Sequence, residues 1–167
     1  MNPNSKIKTK AKAKTNSVPK RSQKAPTTTK RKLRSKAPAL PSDVVAVLLE
    51  VAQNTRKNAY VPYSTYKVGA ALLGVTGNVF SGCNVENASY GLAICAERSA
   101  FVKAISEGER DFVAIAVVTD DGGTPCGACR QFMAEFGLET IVILANKKGA
   151  YTLHTVGSLL PNAFVLN

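Results

Sequence analysis

The chain has 167 residues, 22 Lys+Arg against 11 Asp+Glu, and a formal net charge of +11. The charge is uneven: residues 1–40 carry 13 basic side chains and no acid, so residues 41–167, with 9 basic and 11 acidic, stand at −2. No apolar run approaches the roughly 18 residues of a membrane span, nothing after the basic start resembles the apolar part of an export signal, and the remainder is long enough for one buried core.

Residues 1–40 hold Met1, Ile7, Val18, Leu33 and Leu40 as their only large apolar side chains. Such a segment buries too little surface to offset its ordering entropy, so a disordered polycationic tail is expected, followed by one domain over 41–167. Its Lys30-Arg31-Lys32-Leu33-Arg34-Ser35-Lys36 run suits weak, nonspecific polyanion binding. Four cysteines without an export signal point to metal or catalytic thiols in a reducing, cytoplasmic setting. The tail leaves nuclear or organellar targeting open.

In the domain, Val44, Val45, Leu48, Val51 and Ala52 follow a helical period, with Ser42 placed as N-cap. Val68, Ala70 and Leu72 alternate as a strand, and Thr76-Gly77-Asn78 turns into a second strand over 79–83. A loop at 84–90 precedes a helix over 94–106. The nearly continuous apolar run 112–119 predicts a strand covered on both faces. A loop at 120–124 leads to a helix from about Cys126, ending by Gly137 as a C-cap. A buried strand at 140–145, a short strand at 151–154 and a helical turn before Pro161 complete the chain. Two β-α-β units with buried strands imply an α/β fold, a three-layer α/β/α sandwich on a mixed sheet.

Three cysteines fall where two helices begin, in Cys95-Ala96-Glu97-Arg98 and in Pro125-Cys126-Gly127-Ala128-Cys129-Arg130. Residues i and i+3 share a helical face, so Cys126 and Cys129 lie together. Helix N-termini favour the thiolate, the form that binds metal. Three ligands with an open fourth position describe a catalytic zinc. Glu97, two residues after Cys95 on a rigid helix, could move a proton beside the metal without ligating it. Three thiolates leave the centre at −1, and the helix N-termini, Arg98 and Arg130 are the candidates to compensate. Blander readings remain open: a thioredoxin-type C-x-x-C, a four-cysteine structural zinc, or an ordinary exposed helix glutamate. Cys83 reads as a buried strand cysteine, and His154 as a structural residue on its strand.

The chain resembles the small homotetrameric cytidine deaminases from about Ala59 to Phe164. The resemblance rests on the two cysteine motifs (the second extended by Gln131), Ala59-Tyr60-Val61-Pro62-Tyr63-Ser64, Val68-Gly69-Ala70-Ala71, and the run from Gly82 and Cys83 through Asn84-Val85-Glu86-Asn87-Ala88-Ser89-Tyr90. It implies a hydrolase that converts cytidine and 2′-deoxycytidine to their uracil counterparts in pyrimidine salvage, working as a homotetramer with one zinc per subunit. Cys95, Cys126 and Cys129 would hold the metal, Glu97 would shuttle protons, and Arg98 would balance thiolate charge. Asn84 and Glu86 would bind the ribose, the backbone around Ala88 and Ala96 would read the base, and Tyr66 and Phe164 would pack against the ligand, Phe164 from a neighbouring subunit. Tyr66 departs from the family's usual Phe, and its hydroxyl needs a partner if buried. The 40-residue tail has no counterpart in the family. Competing readings are a blasticidin S-type deaminase, a polynucleotide cytosine deaminase, and a non-enzymatic zinc module that binds nucleic acid through the tail.

Overall fold

The computed structural model describes residues 39–166. The tail reading therefore lies, apart from Ala39 and Leu40, outside the described residues. Leu40 packs with helix α1 (Ser42–Arg56) on one side of a five-stranded sheet. The strands are β1 (Gly69–Gly74), β2 (Val79–Cys83), β3 (Phe112–Thr119), β4 (Ile141–Asn146) and β5 (Tyr151–Thr155), in spatial order β2-β1-β3-β4-β5. Helices α2 (Ala96–Ser106), α3 (Gly127–Ala134) and the short α4 (Val156–Leu159) follow β2, β3 and β5.

The pairings β1–β2, β1–β3 and β4–β5 are antiparallel, and β3–β4 is parallel. Two antiparallel steps make β2 run in the direction of β3. Both β-α-β units are therefore present: β2-α2-β3 straddles β1, and β3-α3-β4 joins neighbours. The sheet is mixed and the fold has three layers.

Strand alternation explains the layering. Ala114, Ala116 and Val118 face Val45, Leu48 and Ala52 of α1, where small side chains let the helix approach. Ile115 and Val117 face the other way, into a core with Phe101, Met133 and Val142. Phe101 is fully buried and meets Phe112 edge-on at 4.8 Å between ring centroids. Burying a ring of this kind contributes about 1.5–3 kcal/mol. It also fixes α2 against α3, which carries Phe132 beside the same ring.

Several boundaries differ from the sequence reading for local physical reasons. Pro41, not Ser42, occupies the N-cap of α1, and no side chain caps it. The Ser42 hydroxyl sits one position too late to serve. Helix α2 starts at Ala96 rather than Ile94, because Ile94 exchanges two backbone hydrogen bonds with Val85, each 2.9 Å. That bridge stops the chain from coiling until Cys95. Helix α3 ends at Ala134, short of Gly137. Strand β1 is covered on both sides rather than one, since it lies between β2 and β3 beneath helices on each face. Cys83, the last residue of β2, is half-buried, not enclosed.

Candidate active site

Cys95 and Cys126 are the N-cap residues of α2 and α3, in extended backbone conformations, and neither side chain caps its own helix. The sulfurs are thus left outside the helix hydrogen bonding while both helix dipoles end beside them. Cys129 lies one turn into α3, fully buried. The Sγ atoms of Cys95, Cys126 and Cys129 lie within 4.8 Å of one another, with Cys95 and Cys126 at 4.0 Å.

These residues fit a zinc ion by donor chemistry and by spacing. A tetrahedral ion with Zn–S bonds of about 2.3 Å holds sulfurs about 3.8 Å apart, close to the 4.0 Å between Cys95 and Cys126. Among the described residues this is the one group of three or more such side chains gathered for a metal. Cys129 closes its inner side, and the exposed Cys126 leaves its outer side open.

The electrostatics favour the thiolate at Cys95. The Cys95 thiol is pulled down to about 5 by hydrogen bonding with Cys129, then by Arg98 and Cys126, against the opposing effect of burial. Cys129 moves the other way: it donates to Cys95, is buried, and feels the negative charge of Glu97. Arg98 Nη2 reaches the Cys95 sulfur at 3.8 Å and the Ala93 carbonyl at 3.0 Å. Arg130 does not share this role. Its guanidinium donates to the carbonyls of Pro125 (2.8 Å) and Leu159 (2.9 Å) and to Thr124 Oγ1 (2.9 Å). It is a backbone clamp on α3, a use of its five donors that sequence spacing does not reveal.

Glu97 is 4 % exposed in the first turn of α2. Burial pushes its carboxyl above the usual range, and the nearby Cys95 charge adds to this, while its own backbone N–H and Cys129 oppose. A buried carboxyl of raised proton affinity beside a cluster of metal-binding thiols can take and return a proton.

The other candidates lie on the segments before α2 and after β3 and at the C-terminal end of the described residues. Asn84 clips the preceding segment, donating from Nδ2 to the Tyr66 carbonyl and accepting from the Val68 N–H, both 2.9 Å. Glu86 accepts from the Tyr63 N–H at 2.9 Å, the Ser64 N–H at 3.3 Å and the Ser64 hydroxyl, which hold its carboxyl below the usual range. A cavity of about 390 Å³ opens between Tyr63, Ser64, Glu86, Asn87, Tyr90 and Ala93. Its volume is in the range of small-molecule pockets. Ala93 joins it to the cluster, since the same Arg98 nitrogen contacts Ala93 and Cys95. Ala88 is exposed on this loop, and Ala96 is buried at the start of α2.

Tyr66 has its hydroxyl partner: it donates to Asp121 Oδ1 at 2.7 Å. Phe164 stands apart, 68 % exposed, with its backbone held by Gln131 of α3 in a two-way amide contact of 2.7 and 3.2 Å. His154 shares a hydrogen bond with Thr152 along β5, away from the cluster. The sequence reading missed Asp121, Ser64 and Gln131. Asp121-Gly122-Gly123 reads only as a loop, and nothing in spacing pairs it with Tyr66, 55 positions away.

Comparison with known proteins agrees with this geometry. Residues 44–145 match the family model described as the cytidine and deoxycytidylate deaminase zinc-binding region. A cytidine deaminase of Sporosarcina psychrophila is 50 % identical over 123 residues, 72 % of this chain and 90 % of that protein. One of Halalkalibacterium halodurans is 55 % identical over 121 residues, 71 % and 92 % of the two chains. The crystal structure of cytidine deaminase from Burkholderia pseudomallei superposes with a TM-score of 0.69 at 52 % identity, covering 71 % of this chain and 98 % of that one. Zinc is the metal of this domain, Cys95, Cys126 and Cys129 form a cluster able to hold one ion, and the chain belongs to the cytidine and deoxycytidylate deaminase family.

Proposed function

We propose that this chain hydrolyses the C4 amino group of cytidine and 2′-deoxycytidine, yielding uridine or 2′-deoxyuridine and ammonia, as a step of pyrimidine salvage. The observation that carries this reading is the buried Glu97 carboxyl, two residues after Cys95 of a cluster of three cysteine sulfurs within 4.8 Å of one another. Relatives named cytidine deaminase at 50 and 55 % identity, matched over nine tenths of their length, support the nucleoside over blasticidin S or a polynucleotide.

Zinc, when bound by Cys95, Cys126 and Cys129, supplies Lewis acidity toward an attacking water. The protein supplies the rest. Glu97 would accept one proton from that water and pass it to the pyrimidine N3, then take the second from the C4 hydroxyl and pass it to the departing amine. Water adds at C4, the C4–N bond breaks, and the proton carried by the carboxyl leaves with ammonia. Arg98 holds the Cys95 sulfur in its thiolate form. Asn84 and Glu86 offer acceptors and an amide donor to ribose hydroxyls, the backbone around Ala88 and Ala96 reads the base, and Tyr66 supplies an aromatic wall.

The working assembly in this reading is a homotetramer in the cytoplasm. Tyr60, Val85 and Ile94 are bridged side by side and each more than two-fifths exposed, an apolar strip of the kind subunit contacts cover. The exposed Phe164, with its backbone held by Gln131, would reach a neighbour's cleft. Among the described residues no helix is long and apolar enough to cross a membrane.

The test is the ultraviolet loss of cytidine by wild type and Glu97→Gln, with zinc quantified in both. Turnover by wild type alone, with equal zinc, supports the reading. Zinc in both with no turnover of either nucleoside by wild type overturns it.

A further inference from the structure

The Tyr66 hydroxyl is tied to a loop that carries a metal-site cysteine. It donates to Asp121 Oδ1 at 2.7 Å, and that oxygen also accepts the Thr119 hydroxyl at 3.0 Å and the Gly123 N–H at 3.1 Å. Thr119 is 3 % exposed, and its Oγ1 accepts the N–H groups of Gly122 and Gly123, both at 2.8 Å. Arg130 clamps Thr124 and Pro125 further along the same loop. Cys126 is the next residue. The other end of the connection is equally firm, because Asn84 grips the backbone on both sides of Lys67. A Cβ at Gly123 would stand 2.7 Å from the Tyr66 oxygen, closer than van der Waals contact allows. The hydroxyl thus occupies the space that any side chain at position 123 would need.

We propose that the Tyr66 hydroxyl is a positioning group for Cys126, fixing through Asp121 and Thr119 the loop that delivers this sulfur to the cluster. In the functional reading above the ring is an aromatic wall for the ligand, and the hydroxyl ties that ring to the metal-site loop. A phenylalanine keeps the wall and releases the loop, so Cys126 leaves the cluster more often and metal escapes faster. Only the turnover readout rests on the deaminase reading; metal release does not.

The experiment uses the full-length, zinc-loaded protein and follows zinc release to a chromophoric chelator, with kcat and KM for cytidine measured alongside. Tyr66→Phe, Asp121→Ala and Gly123→Ala break the same contact from three sides. Tyr66→Phe is expected to speed zinc release about 3- to 10-fold, the range for loss of one hydrogen bond, and Asp121→Ala, which also loses the Thr119 and Gly123 contacts, by at least as much. Tyr66→Phe combined with Asp121→Ala should release no faster than Asp121→Ala alone, because loss of the carboxylate already removes the Tyr66 contact. Asp121→Asn keeps an acceptor oxygen and should stay close to wild type. For Tyr66→Phe, kcat should fall while KM changes by less than about twofold. Wild-type release rates in Tyr66→Phe, additive effects in the double variant, or a lower Tm without faster release would each overturn the proposal. If wild type deaminates no nucleoside, the functional reading fails while zinc release still decides this one.

Discussion

Arg98 contacts the Cys95 sulfur at 3.8 Å through the same nitrogen that donates to the Ala93 carbonyl at 3.0 Å. The carbonyl fixes the guanidinium, and the guanidinium offsets thiolate charge at the cluster. Arg98 is itself held protonated by this contact. Groups that orient metal ligands typically contribute about 10- to 100-fold to metal affinity. Arg98→Gln should therefore bind zinc about 10- to 100-fold more weakly. Arg98→Lys, which keeps the charge but not the fork, should fall between. Competition against a chelator of known affinity measures both, and an unchanged affinity in Arg98→Gln would remove Arg98 from the site's charge balance.

A second dependence runs from the sheet to the cluster. Helix α2 crosses β2 at Gly82, where an added Cβ would meet the Ala100 N–H and the Ala96 carbonyl and lie 2.9 Å from the Ser99 Cβ. These are helix backbone atoms, so the helix itself must move. Gly82→Ala should destabilise the fold by about 1–3 kcal/mol, as overpacking does. It should also displace Cys95 and Glu97 together. The expected result is a lower midpoint in urea together with weaker zinc binding. Loss of stability with zinc affinity intact would show that α2 rotates in place and keeps its N-terminus fixed.

The contrast between Cys95 and Tyr66 shows what was legible in the sequence. Strands β2 and β3 and the cysteine positions follow from local patterns: alternation, apolar runs and motif spacing. Cys95 and Glu97 share a helical turn, so their proximity is a property of the α-helix and readable at once. The exact start of α2 was not readable, because it depends on Ile94 pairing with Val85 across an irregular loop. Tyr66 and Asp121, or Gln131 and Phe164, meet only after the sheet is assembled. Arg130 illustrates the converse error: adjacency to Cys129 in sequence suggested charge balance, yet its fork is spent on carbonyls that the fold alone brings near.

Glu86 supplies a pH prediction. Its carboxyl is held below the ordinary value of 4.5 by the Ser64 hydroxyl first and the Tyr63 N–H second. The folded state therefore releases this proton more readily than the unfolded chain. Whatever stability the Glu86 contacts contribute is fully present above about pH 4.5, the unfolded-state value, and is lost as pH falls through the lowered folded value. Ser64→Ala should move the Glu86 titration upward, toward the ordinary value, and loosen the turn at Tyr63. Carboxyl-carbon NMR on labelled protein reads the midpoint directly. An identical midpoint in Ser64→Ala would mean that the backbone N–H groups alone hold Glu86.

The tail and the domain can be separated by charge. Residues 1–40 carry all of the protein's excess positive charge, and the rest of the chain is slightly acidic. Polyanion binding that works by neutralising phosphates weakens steeply with salt. Removal of residues 1–38, which spares Leu40 and its contact with the α1 side of the core, should leave nucleoside turnover unchanged. It should also abolish retention on an RNA or heparin column at low salt. Full-length protein should elute at a salt concentration that rises as the column's charge density rises. Retention that survives the truncation would place the polyanion site in a domain whose net charge opposes it. That outcome would require a local basic surface strong enough to override the total, and it would reopen the polynucleotide reading.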